Sequence, residues 1–334
     1  MTRVAAFREP GVLRLEERER STFGAGDVLL EIEACGICGS DLGTFRHGHY
    51  VQPGQVMGHE ICARVLDKGS SVDWLEVGDR TVVRPLRACG DCLECEAGEI
   101  QRCASTARMS LAYGEPGGFS DVILVKDVES DEICFVPEHV PALDAMWCEP
   151  LAVAVHALRV SGCGTGTPLV VIGGGSVGLC LAAAARELTA SAVTLVEPQV
   201  ARRAAATDLG AHAVASLDDV DLADYAIVID TSGSRVALAS VIDSGAVGVD
   251  LTLVGLGSDP LPGIPIGGKI RGSFGYHAAD FLDARDLITD GRIRLGSLVT
   301  RTWPLTEIQE AFETAADSTD IVKAAIVPAP TERL

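Results

Sequence analysis

The chain is short of positive charge. Its 334 residues carry 27 Lys and Arg against 47 Asp and Glu, a formal net charge of −20. A surface with that balance repels phosphate backbones and anionic lipid, so neither nucleic acid nor a membrane is an expected partner. A disulfide framework is also missing. The eleven cysteines are odd in number and follow no scaffold pattern, which points to a reducing, cytoplasmic setting. Residues 1–10 contain no apolar run of the kind a secretory leader needs. One uncharged stretch, the eighteen residues 168–185, approaches the length of a membrane span. Its glycine cluster and Ser176 divide it into strand, turn and helix instead. Internal repeats and long low-complexity linkers are lacking too. What remains is a globular composition, 47% hydrophobic and 22% charged, long enough for about two domains of ~150 residues.

The texture changes near residue 150. Before it, residues 27–34 place Val28, Leu30 and Ile32 on one face, opposite Glu31 and Glu33, the pattern of a half-buried strand. Further strands are predicted near 2–7, 60–66, 80–84 and 121–125, separated by turns rich in Gly and Pro. Beyond 150, apolar runs at 169–172, 193–196, 226–229 and 251–254 alternate with Ala-rich helical stretches. That alternation predicts an α/β fold with a parallel sheet under helices. A helix over 306–316, starting at Thr306 with Glu307 in its first turn, and a strand over 321–327 complete the tail.

Three constellations carry chemistry. The first is Cys89, Cys92, Cys95 and Cys103, spaced C-x2-C-x2-C-x7-C, with Gly90 and Gly98 allowing the turns that let four sulfurs converge. Four thiolates at such spacing suit a closed tetrahedral Zn²⁺ site, which holds a loop and leaves no position for substrate. Disulfides or unrelated thiols are the alternative, and two C-x2-C steps sharing a cysteine argue against it.

The second is Gly173, Gly175, Ser176, Val177 and Gly178, a G-x-G-x-x-G run between the strand 169–172 and a helix over 179–188. The first glycine permits the turn, the second lets backbone approach a pyrophosphate, and the third allows close helix–strand packing. Free N–H groups at the helix start then face the phosphates. Glu197 ends the next strand, nineteen residues past Gly178. Its carboxylate can accept from a ribose and would repel a 2′-phosphate, which favours NAD. Arg202 and Arg203 lie close enough to receive that phosphate if their loop folds back, so NADP stays open; a solvated basic pair is the plain alternative.

The third is Cys38, His59 and Glu60, with Glu149. One thiolate, one imidazole and one carboxylate make an open zinc site with a position left for water or an alcohol oxygen. Successive strand residues point to opposite faces, so His59 and Glu60 share a metal only if the chain bends, and Gly58 permits the bend. Glu60 is the first choice for third ligand. Glu149, in Cys148-Glu-Pro-Leu151, is an alternative or a supporting group, and Cys148 a weaker competitor.

Together these motifs resemble the zinc-dependent medium-chain dehydrogenase/reductase family of alcohol and polyol dehydrogenases. Cys-Gly-Ser-Asp at 38–41, Gly-His-Glu at 58–60, Val-Gly-Asp-Arg at 77–80, the cysteine loop, Cys-Glu-Pro-Leu at 148–151, the glycine run and the tail 321–326 all fit. The resemblance spans nearly the whole chain and is nearest the sorbitol dehydrogenase-like branch. It implies a GroES-like β-rich catalytic domain (1–150 and 278–334) with a Rossmann doubly wound parallel-sheet domain (151–277) inserted. It also implies two Zn²⁺ per subunit, with Cys38 rather than Cys35 as the catalytic thiolate and His59 as the imidazole. Ser40 becomes the proton-relaying hydroxyl, Asp41 the carboxylate that orients the histidine, and Lys323 a cation near the pyrophosphate. One departure is Gly43, where the family commonly has a histidine; His47, His49, water or a ribose hydroxyl would then take the proton.

The expected reaction is hydride transfer between an alcohol, whether polyol, sugar-like or secondary, and NAD. An aldehyde or ketone reductase on the same scaffold is the alternative, as is a zinc-stabilised nucleotide-binding protein without turnover. Small-molecule alcohols or carbonyls are the expected partners. Phe45–Tyr50, Tyr113–Phe119, Trp147 and Phe274–His277 are the expected pocket walls, and a homodimer or homotetramer is expected through the sheet edge at 249–254.

Overall fold

The computed structural model describes residues 1–19, 22–255 and 267–330. The chain divides into two compact units. One takes Met1–Glu149, His277–Ser318 and Lys323–Leu334; the other takes Pro150–Tyr276 and Thr319–Val322.

The first unit is built on a largely antiparallel sheet drawn from both parts of the chain. Its strands run in the order Val299–Trp303, Lys323–Ile326, Val28–Gly36, Glu60–Lys68, Arg80–Val83 and Ile133–Val136. The strand Val122–Val125 pairs with the first half of Val28–Gly36. That central strand alternates as its sequence predicts: Val28, Leu30 and Ile32 are buried, while Glu31 and Glu33 are half-buried. On the polar face Glu33 bonds to Arg64 at 2.7 Å and to Arg80 at 2.5 Å, tying three strands together. At Ala34, Cys35 and Gly36 the alternation yields to continuous burial, so both faces are covered at this end. Gly36 pairs with Ala325 on one side and with Glu60 on the other. The sheet end where Gly36, Glu60 and Lys323 gather is therefore fully covered, and the candidate site grows from it. A hairpin, Thr2–Glu9 with Val12–Arg18, adds bridges from Val4 to Ser120 and from Ala6 to Val56.

The second unit is a parallel sheet in the order His212–Val214, Val193–Val196, Leu169–Ile172, Ile227–Asp230, Asp250–Leu253 and Ile270–Gly272. Numbered along the chain, this is 3-2-1-4-5-6. The order reverses between Leu169–Ile172 and Ile227–Asp230, and open sheets of this kind take ligands at such a switch point. The strands Leu169–Ile172, Val193–Val196 and Ile227–Asp230 read as apolar or near-apolar runs because they are covered on both faces, and each is buried at every residue. Val170, Ile172, Val228 and Leu251 pack with Leu238 and Val241 of the helix Arg235–Asp243 in its core.

Some expectations change. The segment 249–254 is not a sheet edge: Asp250–Leu253 is bonded to Ile227–Asp230 and to Ile270–Gly272, so its ladder groups are used on both sides. The helix predicted from Thr306 begins at Ile308 and runs to Asp317. Pro304, extended at φ −68° and ψ 157°, first directs the chain into the short 3₁₀ turn Leu305–Glu307. Among the described residues, no helix is long and apolar enough to cross a membrane.

Candidate active site

Two turns at the covered sheet end bring the catalytic candidates together. Cys38 precedes the helix Gly39–His47 in an extended conformation, and its backbone N–H donates to Asp41 Oδ2 at 3.0 Å. That bond fixes Asp41 in the first helical turn, where a carboxylate is favoured by the free N–H groups. His59 comes just before the strand Glu60–Lys68, after Gly58 with φ +92°. A Cβ at Gly58 would also meet Cys35 Sγ and the Phe119 ring at 2.8 Å, so both backbone and space demand glycine there. Because His59 lies outside the strand and follows this bend, it is freed from strand alternation. Its ligand atom, those of Cys38 and Glu60 all lie within 4.8 Å of one another.

The electrostatics of this cluster suit a cation. His59 is buried, and its Nδ1 has no hydrogen-bond partner; Asp41 Oδ1 is 3.6 Å away. Burial alone would lower the imidazole pKa, but the neighbouring Tyr113, Asp41 and Cys38 carry it well above its usual value. Burial raises the Asp41 carboxyl, opposed by His59 and the Cys38 N–H. A thiol, an imidazole and a carboxylate at these separations, with the Nδ1 side of the imidazole turned to Asp41, are a donor set that fits zinc.

The other candidates divide. Glu149 is buried in the first turn of the helix Cys148–Ser161 but is not among the three gathered donors. Cys148 is no competitor either: burial pushes its thiol well up, and its Sγ faces the Phe281 carbonyl at 3.7 Å. Lys323, expected at a pyrophosphate, is instead a buried partner of Glu60, with Nζ 2.7 Å from Oε1. Ser40 lies near enough to the Tyr113 hydroxyl to favour its ionised form, against the burial that raises it, and the Tyr113 ring lies 5.7 Å from that of His59. Sequence reasoning placed Tyr113 only in a wall; no local pattern links it to Ser40. His47 and His49 are exposed, whereas Phe45, Phe119 and Trp147 are core residues rather than open walls.

The four cysteines converge. Sulfur separations are 3.5 Å for Cys92–Cys95 and for Cys89–Cys103, and 3.9 Å for Cys89–Cys95. A tetrahedron with zinc–sulfur bonds of ~2.3 Å has sulfurs about 3.8 Å apart, so the quartet fits a zinc ion with little adjustment. Gly90 and Gly98 turn the loop at φ +81° and +78°. The backbone N–H groups of Cys89 and Ser105 aim at the Cys103 sulfur and pull its thiol down to about 6. Arg87 anchors the loop base to Glu132 at 3.0 Å.

In the second unit Gly173 turns the chain at φ +98°, and the helix Ser176–Thr189 starts after Gly175. Thr231 Oγ1 donates to the carbonyls of Ile172 and Gly173, at 2.9 and 3.0 Å, bracing the turn from the neighbouring strand. Glu197 is buried against it: Oε2 accepts from Gly174 N–H at 2.7 Å and Oε1 from Gln199 N–H at 2.8 Å. Arg203 is engaged with the carbonyls of Glu197 and Pro198, whereas Arg202 Nε is buried without a hydrogen-bond partner.

Residues 24–134 match the family model of the alcohol dehydrogenase GroES-like domain. Over 306 residues the chain is 33% identical to 2-dehydro-3-deoxy-L-galactonate 5-dehydrogenase of Pseudoalteromonas atlantica, covering 86% of this chain and 87% of that protein. It is 28% identical to L-idonate 5-dehydrogenase of Vitis vinifera, covering 93% and 90%. Among solved structures, one assigned as a zinc-binding dehydrogenase of Sinorhizobium meliloti 1021, bound to NADP, superposes with a TM-score of 0.88. Its identity is 25%, with 98% of this chain and 99% of that one covered.

Proposed function

The chain belongs to the zinc-dependent medium-chain dehydrogenase/reductase family, in its sorbitol dehydrogenase-like branch, and from that membership we propose that it moves hydride between a secondary hydroxyl of a polyol or sugar acid and a nicotinamide cofactor. The observation that carries this reading is the gathering of Cys38, His59 and Glu60 within 4.8 Å. These three residues would hold a zinc ion, whose chemistry is to polarise the oxygen of the alcohol or carbonyl.

The chain's own groups do the rest. Asp41, fixed by the Cys38 N–H, orients the His59 ring through its Nδ1 side. The Ser40 hydroxyl is both donor and acceptor, so it takes a proton and passes its own on without ionising. Gly43 offers no imidazole to receive it, and the Tyr113 hydroxyl is the neighbour that Ser40 does have. The turn Gly173–Gly175 and the start of the helix Ser176–Thr189 bind the pyrophosphate through backbone N–H groups, with Ser176, Val177 and Gly178 in that first turn. Glu197 still has lone pairs for a ribose hydroxyl and, as a buried anion, disfavours a 2′-phosphate. NAD is therefore the assigned cofactor, with Arg202 the group that would have to turn for NADP. The Cys89, Cys92, Cys95 and Cys103 loop takes a second zinc. A cytoplasmic homodimer or homotetramer is part of the same proposal, supported by the charge balance, the cysteine pattern and the family.

The test is a panel of polyols, sugar acids, secondary and primary alcohols with NAD⁺ and NADP⁺, followed at 340 nm on protein of measured metal content. Two zinc ions per chain and NADH formation, with kcat/KM for NAD⁺ at least about tenfold above NADP⁺, are expected. NADH binding without turnover on any alcohol or carbonyl would refute the reading.

A further inference from the structure

Lys323 is a buried lysine that the proposed reaction leaves without a task. It is 2% exposed, and its Nζ lies 2.7 Å from Glu60 Oε1, 2.5 Å from Oε2 and 3.1 Å from the Ile37 carbonyl. The Trp147 ring centroid is 5.1 Å away. An anion, a carbonyl and a π-face together make a cage for an ammonium group. Its partner, Glu60, is 0% exposed and is also one of the three donors gathered for the metal. One carboxylate is thus claimed by two cations.

The strands are built around this pair. Lys323 opens the strand Lys323–Ile326, and Glu60 opens Glu60–Lys68, on opposite sides of the end of Val28–Gly36. Gly36 lies between them. A Cβ there would fall 1.9 Å from Glu60 Oε2 and 3.0 Å from Lys323 Cε, so the ion pair occupies the space of the missing side chain. Burial keeps the contact from bulk solvent, and both carboxylate oxygens face the ammonium.

We propose that Lys323 is a positioning residue for the metal centre, holding Glu60 by both oxygens so that this carboxylate is a restrained ligand rather than a full one. This rests on the metal assignment made above. With Lys323 present, the thiolate, the carboxylate and the ammonium sum to a charge of −1; without it they sum to −2, with Glu60 released. Removing the ammonium therefore strengthens the hold on a divalent ion and adds a donor. A lysine that merely braced Glu60 for the metal would have the opposite effect when removed, because its loss would loosen the ligand.

Cobalt(II) substitution reads the difference, since cobalt absorption reports the number and type of donors. Subtracting the spectrum of the Cys38→Ser variant from that of the parent isolates this site from the four-cysteine loop. In Lys323→Met the isolated bands should weaken and shift as a donor is added. Chelator competition should show the ion held on the order of tenfold more tightly, the scale of effect for groups that support metal ligands. Lys323→Arg should keep the parent spectrum. If Lys323→Met does not fold, the Glu60→Gln/Lys323→Met double variant removes both charges and avoids a bare buried carboxylate. Its cobalt spectrum should match that of Glu60→Gln, because neither protein offers the Glu60 carboxylate as a donor. Unchanged bands and affinity in Lys323→Met, weaker binding there, or a double variant whose spectrum differs from that of Glu60→Gln would each overturn the proposal. Identical parent and Cys38→Ser spectra would instead sink the metal assignment beneath it, and the proposal with it.

Discussion

Two glycines three positions apart should fail in different ways when changed to alanine. At Gly178 an added Cβ would lie 1.9 Å from the Gly173 carbonyl oxygen and 3.0 Å from Thr231 Oγ1. The first contact is backbone on backbone, so no side chain can swing aside. The helix Ser176–Thr189 would have to lift off its strand by more than an ångström. Alanine ordinarily stabilises a helix interior by about 1 kcal/mol over glycine, whereas overpacking costs about 1–3 kcal/mol. Because the clash is fixed in backbone, the upper end of that cost applies, and Gly178→Ala should lose about 2 kcal/mol net and weaken NADH binding with it. At Gly175 the backbone is ordinary, φ −73°, and an added Cβ would meet nothing within 4 Å. Gly175→Ala should unfold within about 0.5 kcal/mol of the parent. Its NADH affinity should still fall by at least about tenfold, because the methyl occupies the approach of the pyrophosphate. Urea unfolding and NADH fluorescence titration, run on both variants, separate the two effects. A Gly175→Ala protein that binds NADH normally, or a Gly178→Ala protein as stable as the parent, would refute the reasoning.

Cys38→Ser should lose one metal equivalent and nearly all turnover while binding NADH within about twofold of the parent, by elemental analysis, rate assay and titration. Cys103→Ser should lose the other equivalent and lower the Tm by about 4 °C or more in a thermal melt, since a closed site contributes folding energy directly. Glu33 supplies a pH test. Burial acts to raise its carboxyl, but hydrogen bonds from Arg80 and Arg64 prevail and hold it below the ordinary value of 4.5. Its stabilisation is then fully present above the unfolded value and is lost as pH falls through the folded one. The gap in urea midpoint between the parent and Glu33→Gln should be constant from neutral pH down to about 5 and close at lower pH; a gap that widened on acidification would contradict the sign.

Local constraints were readable and distant ones were not. The strands Leu169–Ile172 and Val193–Val196 fall where their apolar runs begin and end, and the glycine turn follows at once, because turn, strand and helix start are decided within ten neighbours. The order of those strands depends on pairings between residues far apart in sequence, which no window reveals. The same holds at the site. Cys38, His59 and Glu60 each sit in a recognisable short motif, yet what gathers Glu60 with the other two is the bend at Gly58 and the sheet end at Gly36. Lys323 was expected near a pyrophosphate, but its partner, Glu60, is 263 positions away. The sheet edge was misplaced for a related reason: Ile270–Gly272 is three residues long, too short to show any periodicity.

The strand Lys323–Ile326 sits between Val299–Trp303 and Val28–Gly36, so on one side the end of an early strand of the first unit is paired by a strand made much later. At ~5–20 residues per second a ribosome needs about 13–50 s to travel from Glu60 to Lys323. Throughout that interval a growing chain has no Lys323 to pair with Glu60. On the metal assignment proposed above, an ion captured then would meet a more anionic set of donors than one arriving later. The timing of metal delivery against chain growth would then bear on how the centre is made.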